Sequence, residues 1–312
     1  MSPPCILHPQ RRQSGAAILV AMLVVAMAAM AATGFVFRTS LEWRKYDNAR
    51  AVAQARWVVR AAEHWAAALL RDDGRRSSAD HRDELWAKEL PPVDTEGYTV
   101  SGRVEDLDGR FNINNLINAG QVDEAQLTLF SRLLQLLEMP PELADAVADW
   151  LDADDERRLG QGSERESYLT RVPANVPGNR PVLVLAELAP VAGMTEDFLQ
   201  RLEGHVTALP TRTRINVNTA SAEVITALVS GLSLEEAYTL VALRDKSHFR
   251  NLTDFEQALA PGLSAMADMA SVSSDYFLVR ARARHERIQV GSRALLHREP
   301  ERSPVIVWRT TL

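Results

Sequence analysis

Residues 16–37 contain no charged side chain, and Arg11 and Arg12 precede this run while Arg38 follows it. At about 1.5 Å per residue, a helix over these positions is roughly 33 Å long, enough to cross a hydrocarbon core of about 30 Å. It is the one long apolar run in 312 residues, so the chain is constrained to a single lipid-length rod with the body outside the bilayer. Arg11 and Arg12 favour a cytoplasmic start by the positive-inside rule, opposed in part by Arg38, Arg44 and Lys45. The expected location is the inner membrane, single-pass, with the body beyond it. A secretory signal peptide would use Ala26-Met27-Ala28 or Ala29-Met30-Ala31 as its small-residue site, but the apolar run continues past both.

The remainder has the length for about two domains and, at 46% hydrophobic and 24% charged, the material for a core. A formal charge of -6 argues against general polyanion binding, because phosphate backbones reward a basic surface. Cys5 is the single cysteine, which excludes an intrachain disulfide and any multi-cysteine metal site. The seven histidines form no His-x-x-x-His pair and no serine sits in a Gly-x-Ser-x-Gly context, so no catalytic constellation emerges.

No proline or glycine interrupts residues 35–71, and the helix is predicted to continue to about residue 70. Ala49, Ala53, Trp57, Ala61, Trp65 and Leu69 recur every four residues and predict an apolar stripe beside charged Arg50, Arg56, Arg60 and Glu63. The polar stretch 72–83 predicts a loop. Alternation then predicts a half-buried strand over 98–104 and three more over 276–284, 288–296 and 304–310. In the first of these three, Arg280, Arg282 and Arg284 fall on one face, read as a solvated row that discourages edge pairing.

Residues 110–272 are predicted mostly helical, with an internal echo. Asn112-Ile113-Asn114 and Asn216-Val217-Asn218 each precede two helices, at about 123–138 and 142–151 in one half and about 221–229 and 234–244 in the other. Asparagine competes for nearby backbone groups, so these asparagines are read as structural.

The junction Arg11-Arg12-Gln13-Ser14-Gly15-Ala16-Ala17-Ile18 resembles a type IV prepilin leader, which implies cleavage between Gly15 and Ala16 by a prepilin peptidase. Most pilin-like proteins carry glutamate at the fifth mature position; here it is Val20. A carboxylate in hydrocarbon is costly unless paired, so valine suits a subunit with nothing above it. With the phrases Asp106-Leu107-Asp108-Gly109-Arg110-Phe111-Asn112, Ala148-Asp149-Trp150-Leu151-Asp152 and Ile215-Asn216-Val217-Asn218-Thr219-Ala220, the chain resembles the K-type minor pseudopilins of type II secretion along nearly its whole length. That resemblance implies an α+β, pilin-like fold: a long N-terminal helix packed on an antiparallel sheet. It also implies a large inserted helical domain containing helix-hairpin-helix or SAM-like units. The implied organisation is a leader at 1–15, a transmembrane helix at 16–37, and the long helix with first strand at 38–109. The insert then covers 110–272 and the closing strands 273–312. The implied role is a non-enzymatic subunit at the tip of a periplasmic pseudopilus, with I-type and J-type minor pseudopilins as partners. Contact with exoproteins or the outer-membrane channel would follow.

Relatives of this kind bind calcium in the insert, which makes Asp149, Asp152, Asp154, Glu164 and Glu166 candidate ligands. The residues alone leave a solvated acidic loop, partnered by Arg157, Arg158 and Arg165, as the alternative. Asp106-Leu107-Asp108-Gly109 is read as a strand-ending turn rather than half a cation loop. Residues 215–255 also resemble the helix-hairpin-helix module of membrane-anchored DNA receptors. However, the turn Ser230-Gly231-Leu232 keeps one glycine, and Glu235 and Glu236 stand where phosphate would approach.

Overall fold

A computed structural model describes residues 14–153, 158, 178–266, 268–299 and 302–312. Helix α1 spans Ser14–Gly74, 61 residues or about 90 Å, running through both the apolar stretch and the first part of the body. Its membrane-length window packs against nothing in the protein. Burial begins near Val52, and the inward face consists of Ala55, Val59, Glu63, Ala66 and Leu70.

This is not the stripe expected from the sequence. A strict i+4 series advances about 40° per step on a helix, so it winds around the rod, whereas a buried face alternates i+3 and i+4. The series from Ala49 winds away from the sheet side, points opposite it at Trp57 and Ala61, and comes back towards it only near Leu69. Trp57 and Trp65 consequently stay 67% and 49% exposed. Glu63, expected on the charged side, is fully buried. It accepts hydrogen bonds from Ser292 Oγ at 2.6 Å and Arg309 Nε at 2.6 Å, which ties α1 to the sheet.

After α1 the chain makes strands β1 (Leu90–Thr95) and β2 (Tyr98–Asp106). It then leaves the sheet for a helical block. This block contains the short strands β3 (Phe111–Asn112), β4 (Ile117–Asn118), β5 (Gln121–Val122), β6 (Val206–Thr207), β7 (Ile215–Asn216) and β8 (Ala270–Ser271). Its helices are α2 (Glu124–Leu136), α3 (Leu143–Leu151), α4 (Glu196–Leu202), α5 (Ala222–Leu228), α6 (Leu234–Arg244) and α7 (Leu252–Ala258). The chain returns as β9 (Tyr276–His285), β10 (Ile288–His297) and β11 (Val305–Thr311). The five-stranded sheet is antiparallel throughout, in the order β1-β2-β9-β10-β11.

Two expectations about the sheet change. Strand β1 precedes the strand expected to be first; its Pro91 and Pro92 argue against a central strand, but β1 is an edge, where a missing N–H costs no ladder bond. The arginine row of β9 lies in the centre of the sheet, so edge protection does not explain it.

Inside the block, α2 with α3 and α5 with α6 form two helical pairs. Their turns both place a residue at positive φ, Glu138 at 56° and Gly231 at 84°. A single apolar core runs through the block, from Phe111 and Phe130 to Val224 and Phe255. The asparagines clamp it. Asn218 receives Phe249 N–H and donates to Phe249 carbonyl, both at 2.9 Å, and Asn115 does the same to Thr213 at 3.2 and 2.8 Å. These side chains complete a strand-like ladder where no strand is present.

Candidate functional site

Three places bear on function, and the first is the rod. The helix passes unbroken across Gly15 and Ala16, and Val20 is 59% exposed on it. Beyond the apolar stretch, Trp43, Tyr46, Trp57 and Trp65 lie on the side of α1 turned away from the sheet and are all exposed. Arg60 sits 5.3 Å over the Trp57 ring. The chain therefore leaves a row of large aromatic side chains uncovered along one helical face.

The second place is the junction between the sheet and the helical block. Asp106 ends β2, and its Oδ1 accepts from Asp108 N at 2.8 Å, which is the expected strand-ending turn. Its Oδ2 receives Ser274 Oγ at 2.7 Å, Asn216 Nδ2 at 3.1 Å and Thr219 Oγ1. Asp108 Oδ2 receives the N–H groups of Asp275 at 2.6 Å and Tyr276 at 3.1 Å. Gly109 allows this closeness: a Cβ there would lie 2.5 Å from Thr219 Oγ1 and 2.9 Å from its carbonyl carbon.

The loop after α1 straps over the junction. Asp80 N donates to Val272 carbonyl at 2.8 Å, and Arg82 donates to Thr219 carbonyl at 2.7 Å. His81 stacks on His248 of the block, with ring centroids 3.6 Å apart. Carboxylate oxygens of Asp73, Asp80 and Glu84 lie within 4.8 Å of one another, a spacing that suits a divalent cation. Arg298 takes that role instead, meeting Asp80 at 2.5 Å and Asp73 at 3.2 Å. Burial, then the neighbouring charges of Glu84 and Asp80, push the Asp73 carboxyl up to about 7. Burial raises Glu84, Asp106, Asp108 and Asp275 as well, and holds His81 and His248 below the ordinary histidine range. None of this strap was legible in the sequence, where 72–83 reads as plain loop; buried Asp80 within a polar run gives no periodic signal.

The third place is the end of α3. Asp149 is fully buried and Asp152, which closes the helix, is 3% exposed. Asp149 Oδ2 accepts from Arg158 N at 3.3 Å, and Arg158 pairs with Asp145 at 3.3 Å and Glu124 at 2.9 Å. Asp154, Glu164 and Glu166 lie outside the described residues. Arginine pairing is thus present at this corner, while two carboxylates three residues apart face inward, a donor set that suits a hard cation.

At the turn of the second helical pair, Glu236 Oε2 accepts from Ser233 N at 2.9 Å and Ser233 Oγ at 2.7 Å. The chain's own carboxylate therefore fills the helix N-terminus at which a phosphate would bind.

Comparison with known proteins identifies the architecture. The family model "Type II secretion system (T2SS), protein K" matches residues 109–211 and 215–275. The protein named type II secretion system protein K of Pseudomonas aeruginosa is 34% identical over 86% of this chain and 84% of its own length. The Klebsiella pneumoniae protein of the same name is 30% identical over 78% of this chain and 79% of its own. Among solved structures, the GspK-GspI-GspJ complex of the enterotoxigenic Escherichia coli type 2 secretion system contains a similar chain. Its TM-score is 0.72 and it covers 86% of this chain and 99% of that one, at 23% identity, a likeness of fold.

Proposed function

This chain belongs to the family of type II secretion system protein K, and we propose that it starts or caps the pseudopilus as its tip subunit. It is a minor pseudopilin of type II secretion, as the family match and the fold shared with a chain of the GspK-GspI-GspJ complex support. The observation that carries the tip position is where the helical block is mounted. The block joins the sheet through Asp80 and Asp106, next to the end of α1 farthest from the apolar stretch, where Asp73 of α1 meets Arg298. From residue 37 to residue 74 is about 55 Å of helix, so the block stands well clear of lipid. A headpiece of this bulk between β2 and β9 would collide with its own copies in a tightly stacked fibre, yet it can close one.

In this reading the N-terminus is cytoplasmic and α1 anchors a periplasmic body in the inner membrane. Prepilin peptidase cuts between Gly15 and Ala16, and Val20 marks a subunit with no neighbour above. The solved complex contains GspI and GspJ, and the I-type and J-type minor pseudopilins are the partners proposed here. The exposed face of Trp43, Tyr46, Trp57 and Trp65 supports this, being apolar surface that the chain does not cover itself. The two helical pairs are read as helix-hairpin-helix units used for scaffolding, since Glu236 occupies the anion position of the second. Calcium would sit at the end of α3, held by Asp149 and Asp152 with Asp154, Glu164 and Glu166, and would screen carboxylates that otherwise repel.

The decisive test is co-expression of the full chain with I-type and J-type minor pseudopilins. A ternary complex is expected from the native chain and a much weaker one from Trp57→Ala/Trp65→Ala; undiminished assembly would refute this face as the contact. Mass spectrometry of membrane-extracted protein should give Ala16 as the first residue. Calcium titration should release heat that Asp149→Asn/Asp152→Asn abolishes, and a silent titration of the native chain would remove calcium from the account.

A further inference from the structure

The outward face of the central strands carries arginines directly opposite one another: Arg103 of β2 pairs with Arg280 of β9, which pairs with Arg293 of β10. Like charges in register destabilise a sheet, so packing does not account for this arrangement. Two residues along, Arg282 faces Gly291, and the missing side chain there opens a trough of about 420 Å³ beside Leu312. Arg284 extends the row, and Arg103, Arg282, Arg284 and Arg293 are exposed. One end is already satisfied, because Glu105 meets Arg103 at 2.8 Å, Arg280 at 2.7 Å and Arg110 at 3.2 Å. Among the described residues, no carboxylate lies within 4.0 Å of Arg282, Arg284 or Arg293.

We propose that this trough is a docking site for an acidic protein segment, whose carboxylates repeat along Arg282 and Arg293 the seating that Glu105 makes at its end. Guanidinium groups bind carboxylates by charge-assisted hydrogen bonds, and Glu105, shared by three arginines through one contact each, shows that a carboxylate seats on this face. Strands spaced about 4.8 Å apart, with like-facing residues about 7 Å apart along each, offer a grid that an extended peptide can follow. The exposed Leu312 adds an apolar rim. The chain's own bilayer is out of reach: β9 packs through Ala281 and Ala283 on Ala55 and Val59, about 27 Å of helix beyond residue 37. Four arginines against the single side-chain carboxylate of Glu89 leave the trough lining net positive on a molecule of charge -6, which steers an acidic partner to one face.

Fluorescence anisotropy of labelled poly-L-glutamate with the full chain in detergent micelles at low salt tests the proposal. The native chain should bind at least about tenfold more tightly than Arg282→Gln/Arg293→Gln. Arg250→Gln/Arg302→Gln, which removes equal charge at exposed positions elsewhere, should bind like the native chain. Equal loss in both variants, or none in the trough variant, overturns the site. Phosphatidylglycerol vesicles that bind through the same two arginines while poly-L-glutamate does not would overturn the acidic-protein assignment. The trough variant should melt no lower than the native chain, since the Arg280–Arg293 like-charge pair is relieved and Arg282 has no carboxylate partner to lose. A fall of several degrees, or failure to fold, would make the arginines structural and overturn the proposal as well.

Discussion

The helical block and the helix-on-sheet body solve the same problem by different means. The block buries one continuous apolar core, in which Phe111 stacks on Phe130 at 5.4 Å and Phe249 meets Phe255 edge-on. The body divides its apolar burial among three smaller clusters. One lies around Leu70 and Phe277, one around Val59 and Ala283, and one around Leu295 and Tyr276. Polar ties complete the body: Glu63 with Arg309 and Ser292 inside, and Arg298 with Asp80 at the top. The sheet covers one side of α1 and leaves the far side open to neighbours, whereas the block closes one apolar core within itself.

The contrast predicts a graded set of effects. Phe130→Ala opens a cavity in the continuous core and should cost about 3–5 kcal/mol, seen in denaturant unfolding as loss of the block's cooperative transition. Glu63→Ala leaves buried Ser292 without its acceptor and Arg309, which keeps part of its side chain in water, without its carboxylate; it should cost about 2 kcal/mol, with hydrogen exchange rising in β10 and β11 but not in the block. Arg309→Met with Glu63→Met should recover most of that loss. Gly109→Ala forces Thr219 aside and should cost about 2 kcal/mol, loosening the link between block and sheet more than either part.

Titration of the junction gives a smaller, directional effect. Asp73 is raised from 3.8 to about 7, so the folded state holds its proton more tightly than the unfolded chain does. Its contribution is full below the unfolded value and is lost as pH rises through about 7. The depressed His81 and His248 act oppositely, losing stability as pH falls below the ordinary histidine range. The Asp73 contribution should therefore be lost as pH rises from about 4 to about 7, most visibly above the histidine range where the imidazoles no longer oppose it, and Asp73→Asn should flatten that decline in melting temperature; an unchanged slope would remove Asp73 from the explanation. The smallest expected stability change, within about 0.5 kcal/mol, belongs to Trp57→Ala/Trp65→Ala, because both side chains already face solvent.

Much of the architecture was written in periodicity. The uninterrupted stretch 35–71 marked the rod, alternation marked β2 and β9–β11, and the paired Asn-x-Asn phrases marked the two helical pairs. What escaped did so for identifiable reasons. Pro91 and Pro92 disguise an edge strand, and an i+4 series of alanines and tryptophans imitates a buried face while winding away from it. Glu63 looks like surface charge until Arg309, 246 residues later, is brought to it. The junction is assembled from segments far apart in the sequence, among them 73–84, 106–109, 216–219, 272–276 and Arg298, so no local pattern announces it.

Labelling the helical block with a gold-binding tag on isolated pseudopili, and recording where the gold falls, tests the central claim most directly. A subunit mounted as described predicts a single label at one end of each fibre. Labels repeated along the shaft would contradict it.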